Sequence, residues 1–580
     1  MKKRLTTLLF ALSITLCACS SPLIGNDPDK SSKENLDDES DERDEKSNDE
    51  DTSNEVVEES STDTAADDSS SSGVLAYENE ITDLKPLYRI WTERNPVYYY
   101  SDDYSVSELA GEYHVESLLL MEECQEAYPE LYDALHKIAE EKRDVYLEEH
   151  NEFCDYALED YTQRIEDGKK ASRKYVTTRV FLKRCADQYL SYYDEYSYCW
   201  EELRPYQKIG HNFDITTGEE IDLGDVLNIT EDELNEIIAT TLREDCPDDL
   251  DDLEDVEDTL SLYHYGLETT GDDDKLYDWY FSVDGVHIVF NGYDLVDSFG
   301  FGNHEVLLSY DDYVNSEYVY APEGSYSYMR TDMFIMDEGY YSGNYTSDPL
   351  LMYTEDETDD DFATALILAN GDDIARFDDV IYYIDSVDKV YDIFTADGRE
   401  FIYVTIEGMA EEWYLYVFEI TGGGAKACGY TSYIHEYLGY TTDPIYAGNP
   451  VFSDPDHLMI PRLNDMLGSI ISYSYDVVGD DGMPECVQTY YNVSWASLEI
   501  ESLEDLDAYE ILEDGTLSGE KTTIEKGTHF LPVRTDDETY VDCRLDDGRV
   551  VRLYIETKDY ESYIDGVDVK ELFDGLIYAC

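Results

Sequence analysis

Residues 125–166 read QEAYPELYDALHKIAEEKRDVYLEEHNEFCDYALEDYTQRIE. Leu131, Leu135, Ile138 and Val145 recur at steps of three, four or their multiples among Glu and Lys, the period of a helix with one buried stripe. Pro129 suits the first turn, where its missing N–H would have no intrahelical partner anyway. A helix of this length and polarity needs an apolar surface to lie on, and the following residues predict one. Strand-like runs occupy 175–182 and 188–200, the second rich in tyrosine.

Working outward, Thr230 and Glu233 have capping-box spacing ahead of Leu234, Ile237, Ile238 and Leu242, which predicts a second helix. Asp284-Gly285 lies between WYFSV and VHIVF and predicts a hairpin. From Ser325 to about Glu510 the signals are mostly β. Asp397-Gly398 joins two apolar runs, and FIYVTI and WYLYVFEI flank 408–412. Near the end, Val541, Cys543 and Leu545 alternate before a turn at 546–549, and Val551, Leu553 and Ile555 alternate after it. The expected fold class is α+β. Helices pack on an antiparallel sheet in residues 73–322, a β-rich domain fills 323–510, and a small β-barrel fills 511–580.

The chain begins with Lys2, Lys3 and Arg4 and a short apolar stretch from Leu8 to Leu16, the pattern of a secretion signal. Leu16-Cys17-Ala18-Cys19 then resembles the bacterial lipobox, which implies that Cys19 carries a lipid and becomes the first mature residue, so 1–19 are leader. No later apolar run approaches the roughly 18 residues of a transmembrane helix. The expected location is the extracytoplasmic face of the cell membrane, with the membrane a partner through the lipid on Cys19. Residues 20–72 hold nineteen acids against four bases and almost no large apolar side chains, so they read as a disordered, extended tether.

Of the formal charge of −97, the leader contributes +3 and the tether −15, which leaves −85 on residues 73–580. Nucleic-acid binding is disfavoured, because phosphates are neutralised by clustered Lys and Arg. A cationic partner would be steered in by such a field; solubility is the plainer reading of the same acidity. The nine cysteines that remain after Cys17 and Cys19 contain no CxxC pair, so no structural zinc is expected, and one or two disulfides stay open without assignment. HExxH, GxSxG, Walker A and dinucleotide-binding fingerprints are all absent, and no cofactor or catalytic residue is expected. Acidic runs at Asp272 and at 359–361 lack EF-hand spacing and read as solvated loops before calcium sites.

The 55 tyrosines are the unusual feature. Tyr192, Tyr196, Tyr198 and Trp200 fall on one face of a strand, and Tyr98 to Tyr100 form a second cluster. The first row is the candidate ligand contact, since exposed aromatic rows stack on sugar faces. The alternative is that these are ordinary strand residues in a core, and the spread of tyrosine through every region favours it.

The order of these signals over 125–320 resembles the extracellular domains of the RsiV and PdaC group. The likeness rests on YPELYDALHKI, on Arg184, Ala186 and Asp187 in place of the family's R-x-D turn, and on GHNFDITTGEEIDLGDVL at 210–227. The closing string runs from Trp279 to Tyr313. It implies helices on an antiparallel sheet in an exported, envelope-linked protein. Some members bind lysozyme outside the cell as anti-sigma factors, and others carry the domain beside a polysaccharide deacetylase. This chain departs from both patterns: it has no sigma-binding segment, no recognisable deacetylase metal triad, and CWEELRPYQKIGHN where the family has Gly-Gly-Ala-His. Separately, Lys526-Gly527-Thr528 and the Asp-Gly hairpin after it resemble a bacterial SH3-like barrel. The expected function is a lipid-anchored, non-catalytic binding or sensing module for peptidoglycan fragments or a cationic protein such as a lysozyme. The alternatives are an envelope-glycan enzyme with an unrecognised carboxylate pair and a purely structural surface lipoprotein.

Overall fold

The computed structural model describes residues 85–578, apart from 102–106, 171–172, 200–205, 246–255, 266–274, 293, 296–302, 332–334, 337–349, 356–361, 371–372, 409–412, 423, 434–448, 489, 497–499, 513–515 and 559–560. Cys19, the tether, Trp200 and the acidic runs at Asp272 and 359–361 lie outside the described residues.

Strand β1 (Tyr88–Tyr100) and strand β2 (Ser107–Leu120) form a long hairpin, and helix α1 (Pro129–Glu166) follows. Strands β3 (Lys174–Arg184), β4 (Tyr189–Cys199) and β5 (Tyr206–Asp214) complete a sheet with order β1-β2-β3-β4-β5, and the two-residue strand Asn449–Pro450 is added beside β1. The expected antiparallel sheet is in fact mixed, because β2 and β3 are parallel, with Gly111 opposite Lys174 and Val115 opposite Thr178. Parallel neighbours need a crossover, and the 38 residues of α1 supply it. The helix therefore lies back across the strand it leaves. Tyr146 and Phe153 of α1 meet the ring of Tyr113 edge-on at 5.3 and 5.4 Å, and Ala157 presses so close to Gly111 that any side chain there would collide with it. Leu131, Leu135 and Ile138 are buried as their spacing predicts; Val145 is only half-buried, and Tyr146 takes its place in the core.

The second helix, α2 (Glu231–Asp245), opens with the expected reciprocal cap. Glu233 accepts from the Thr230 N–H and hydroxyl, each at 2.9 Å, and Thr230 Oγ1 accepts from the Glu233 N–H at 3.3 Å. Its apolar face (Leu234, Ile238, Leu242) joins a core with strands β6 (Asp278–Phe281), β7 (Gly285–Phe290) and β8 (His304–Ser309), an antiparallel sheet turned at Asp284-Gly285.

Beyond Ser325 the architecture is antiparallel β. Strand β9 (Tyr326–Arg330) pairs with the far half of a 22-residue strand, β11 (Asp373–Phe394), whose near half pairs with β10 (Phe362–Asn370). Then follow β12 (Glu400–Gly408), β13 (Trp413–Thr421) and β14 (Gly424–Tyr433). A single core runs from Leu87 to Tyr475. It joins Leu182 and Tyr193 of the first sheet to Tyr391, Ile393, Phe401 and Tyr403 of the second, so the apolar interior crosses position 322.

The closing hairpin appears where alternation places it, with Val541, Cys543, Leu545, Val551 and Leu553 all buried. Gly548 turns it at φ +83°. The expected small SH3-like barrel is not seen among the described residues. Among the described residues the pairing is an open path that begins at Arg462–Asn464 and ends at Leu517–Ile524. Tyr491 and Asn492 pair with Thr535 and Arg534, so residues well before 511 belong to the same sheet, and that sheet does not close on itself.

One side chain joins these parts. Arg184, at the end of β3, is fully buried; its guanidinium grips Asp187 in a two-point contact (Nε–Oδ1 3.0 Å, Nη2–Oδ2 2.6 Å). Nη1 donates to the Tyr318 carbonyl at 2.7 Å, and Phe281 and Tyr189 flank the cation at 4.7 and 5.0 Å. Replacing Arg184 with Met strands the Asp187 carboxylate and the Tyr318 carbonyl. We expect a loss of about 3–5 kcal/mol in urea-denaturation stability; an unfolding midpoint equal to that of the parent would contradict this role.

Candidate functional site

Along β4, Tyr192, Asp194 and Tyr196 share a face, as strand alternation requires. That face is covered by α1. Tyr192 is completely buried and stacks on His211 at 4.6 Å, and Tyr196 packs among Tyr113, Tyr146 and Phe153. Neither lines a groove. Tyr198 lies on β4, and its side chain is outside what is described, as is Trp200. The core reading of this row therefore holds for Tyr192 and Tyr196. Tyr98 and Tyr100, in contrast, are exposed at 46% and 53%, with ring centres 6.3 Å apart.

Polar chemistry is concentrated where the sheets meet, at positions the sequence did not mark. Glu116 of β2 accepts from Lys389 Nζ and the Val180 N–H, both at 2.7 Å, and lies 3.2 Å from His114 Nε2. Burial pushes its carboxyl up, but Lys389 and then His114 outweigh it and hold the group below the usual carboxylate range. On the α1 side, Asp194 takes Lys142 Nζ at 2.7 Å and His211 Nε2 at 2.8 Å, and Lys142 also donates to the Glu116 carbonyl at 3.2 Å. Asp194 too is lowered, burial opposing and Lys142 and His211 prevailing. A third cluster surrounds Glu305, which is bonded to Lys208, to the Tyr280 hydroxyl at 2.6 Å and to His287 Nδ1 at 3.2 Å. These carboxylates are ionised and fully engaged, so none is poised to give a proton near neutral pH.

A cavity of about 20 Å³ sits between β2 and β11, lined by Glu116, Asp388, Lys389 and Thr405 on its polar side and by Ile90 and Phe452 opposite. That is room for a water molecule and too little for a sugar ring. Among the described residues no three His, Cys, Asp or Glu side chains gather as metal ligands, and no helix is long and apolar enough to cross a membrane. The seven described cysteines are all free.

This sequence matches no family model and no curated protein. Solved structures similar to it include two DUF3298 proteins. One is a member of the DUF3298 family from Bacteroides fragilis, 13% identical with a TM-score of 0.29, covering 40% of this chain and 96% of that one. The other is a DUF3298 family protein from Pseudomonas aeruginosa, 11% identical with a TM-score of 0.23, covering 41% and 98%. The structural match is to DUF3298 proteins.

Asp392 behaves differently from Glu116, Asp194 and Glu305. Asp392 is pushed up to about 7 by burial, in spite of Arg330 at 3.1 Å and the Tyr328 hydroxyl at 2.9 Å. Its Oδ1 has no hydrogen-bond partner among the described residues. A folded-state pKa above the unfolded value means that Asp392 favours the fold at low pH and withdraws that support as pH rises towards and through about 7. Asp392→Asn should flatten the fall in melting temperature between about pH 4 and pH 7; parallel parent and variant curves would refute it.

Proposed function

We propose that the chain is a lipid-anchored, extracytoplasmic binding or sensing module whose acidic body engages a cationic envelope protein, such as a lysozyme, or cationic groups of the cell wall. The observation that carries this reading is where the cations go. Residues 73–580 carry −85, and several of their few cations are turned inward: Lys142, Arg184, Arg330, Lys389 and Arg534 are nearly or fully buried, each against a carboxylate. Each such pair removes a positive group from the surface, so the excess carboxylates face solvent with little positive charge between them. A field of that sign raises the encounter rate with cationic partners and repels nucleic acid and anionic lipid.

Binding of lysozyme to the full-length chain should therefore be fast and salt-sensitive. We expect affinity to fall by about tenfold or more between 50 and 300 mM salt, roughly as the screening length shortens. Isothermal titration at both salt concentrations measures it, and no binding at 50 mM would overturn the reading. The anchor is tested separately: Cys19→Ala should abolish incorporation of radiolabelled palmitate and release the chain from the membrane fraction.

A further inference from the structure

Helix α1 is buried along one side only. With 100° between successive residues, Leu135, Tyr146, Phe153 and Ala157 face the sheet, and the opposite side carries Glu140, Asp144, Glu148 and Glu152 at four-residue steps, continued by Asp155 and Glu159. All six carboxylates are exposed, and none pairs with a cation among the described residues. Like charges four residues apart cost about 0.2–0.5 kcal/mol per pair in an isolated helix. The helix carries this repulsion from Glu140 to Glu159, with the exposed Lys137 one turn before it.

Next to the acidic row stand Leu147, Leu158 and Ile165, exposed at 51%, 40% and 41%. Their spacings of eleven and seven residues are three and two helical turns, so they form one line about 27 Å long. Single exposed leucines are ordinary. Three in line, bordered by six unpaired carboxylates on one helix, make a face with both an apolar contact and a charge preference.

We propose that this outer face of α1 docks a cationic amphipathic helix of a partner protein, whose apolar row covers Leu147, Leu158 and Ile165 while its Lys or Arg row meets the carboxylates. The proposal rests on the cationic-partner reading above and names the surface that serves it. A second copy of this chain is disfavoured as the occupant, since its own α1 face is equally negative. An anionic lipid surface is disfavoured for the same reason. Zipper-like pairing of two helices has this form, with apolar anchors spaced at whole turns along one side.

The test uses the full-length chain and a fluorescent 18-residue Leu/Lys peptide that forms an amphipathic helix, followed by anisotropy at about 50 mM salt. Leu147→Ser with Leu158→Ser should weaken binding about tenfold, as should Glu140→Lys with Asp144→Lys and Glu148→Lys. The same charge change made elsewhere, Glu525→Lys with Glu538→Lys and Glu571→Lys, should weaken it by less than about threefold. Circular dichroism equal to that of the parent confirms that each variant is folded; should the α1 reversal fail to fold, the leucine pair alone decides. Equal losses in the α1 and remote reversals, or an unchanged affinity in the leucine pair, overturn the face as the site. A parent that binds lysozyme but not the peptide also overturns the face, while the broader cationic-partner reading survives. A parent that binds neither removes both.

Discussion

A guanidinium taken wholly out of water loses several kcal/mol of hydration, and it persists inside a protein only where every donor finds an acceptor. Arg184 meets that condition with groups from four stretches of chain: Asp187 after β3, the Tyr310 hydroxyl, the Tyr318 carbonyl, and the aromatic faces of Tyr189 and Phe281. These contacts set the end of the first sheet against β6 and against the segment that leads to β9. The cores on either side depend on that placement. Met329 of β9 and Tyr391 and Ile393 of β11 share a core with Leu182 two residues before the arginine.

The same constraint explains how the molecule handles its charge. A chain this acidic cannot bury carboxylates without partners, and its few cations are spent where carboxylates must go inside. Glu116 with Lys389, Asp194 with Lys142 and Asp542 between Arg534 and Arg552 are the result. Glu116 and Lys389 are 273 residues apart and Asp194 and Lys142 are 52 apart, whereas the Asp542 pairs join neighbouring strands of one sheet. Such pairs add less stability than their Coulomb attraction suggests, because desolvation offsets it, yet losing one partner is costly. They fix how the sheets meet. What they leave outside is negative, and on α1 six of those carboxylates stand on one exposed side.

The legible parts of the fold were those governed by neighbours in sequence. The α1 stripe, the Thr230–Glu233 cap, the Asp284-Gly285 and Asp546–Arg549 turns and the alternation of 541–555 all follow from periods of 3.6 or 2 and from turn chemistry. Val145 against Tyr146 shows the resolution of such reading: a one-residue step turns a helical side chain by 100°, and the sheet beneath selected the larger ring. The tyrosine row on β4 had two readings because alternation shows which residues share a face without showing what covers it. Covering it is the work of α1, which enters from the other end of the crossover and buries Tyr192 and Tyr196.

By itself the sequence determined the local elements and the acidity, because propensity and charge are local quantities. Only the tertiary structure decided that β2 and β3 run parallel, that the last strands extend an open sheet instead of closing a barrel, and which carboxylates are spent inside. Those outcomes depend on contacts between residues tens to hundreds of positions apart. No period or composition encodes such contacts; the shared burial of apolar faces and the need to pair every buried charge select them.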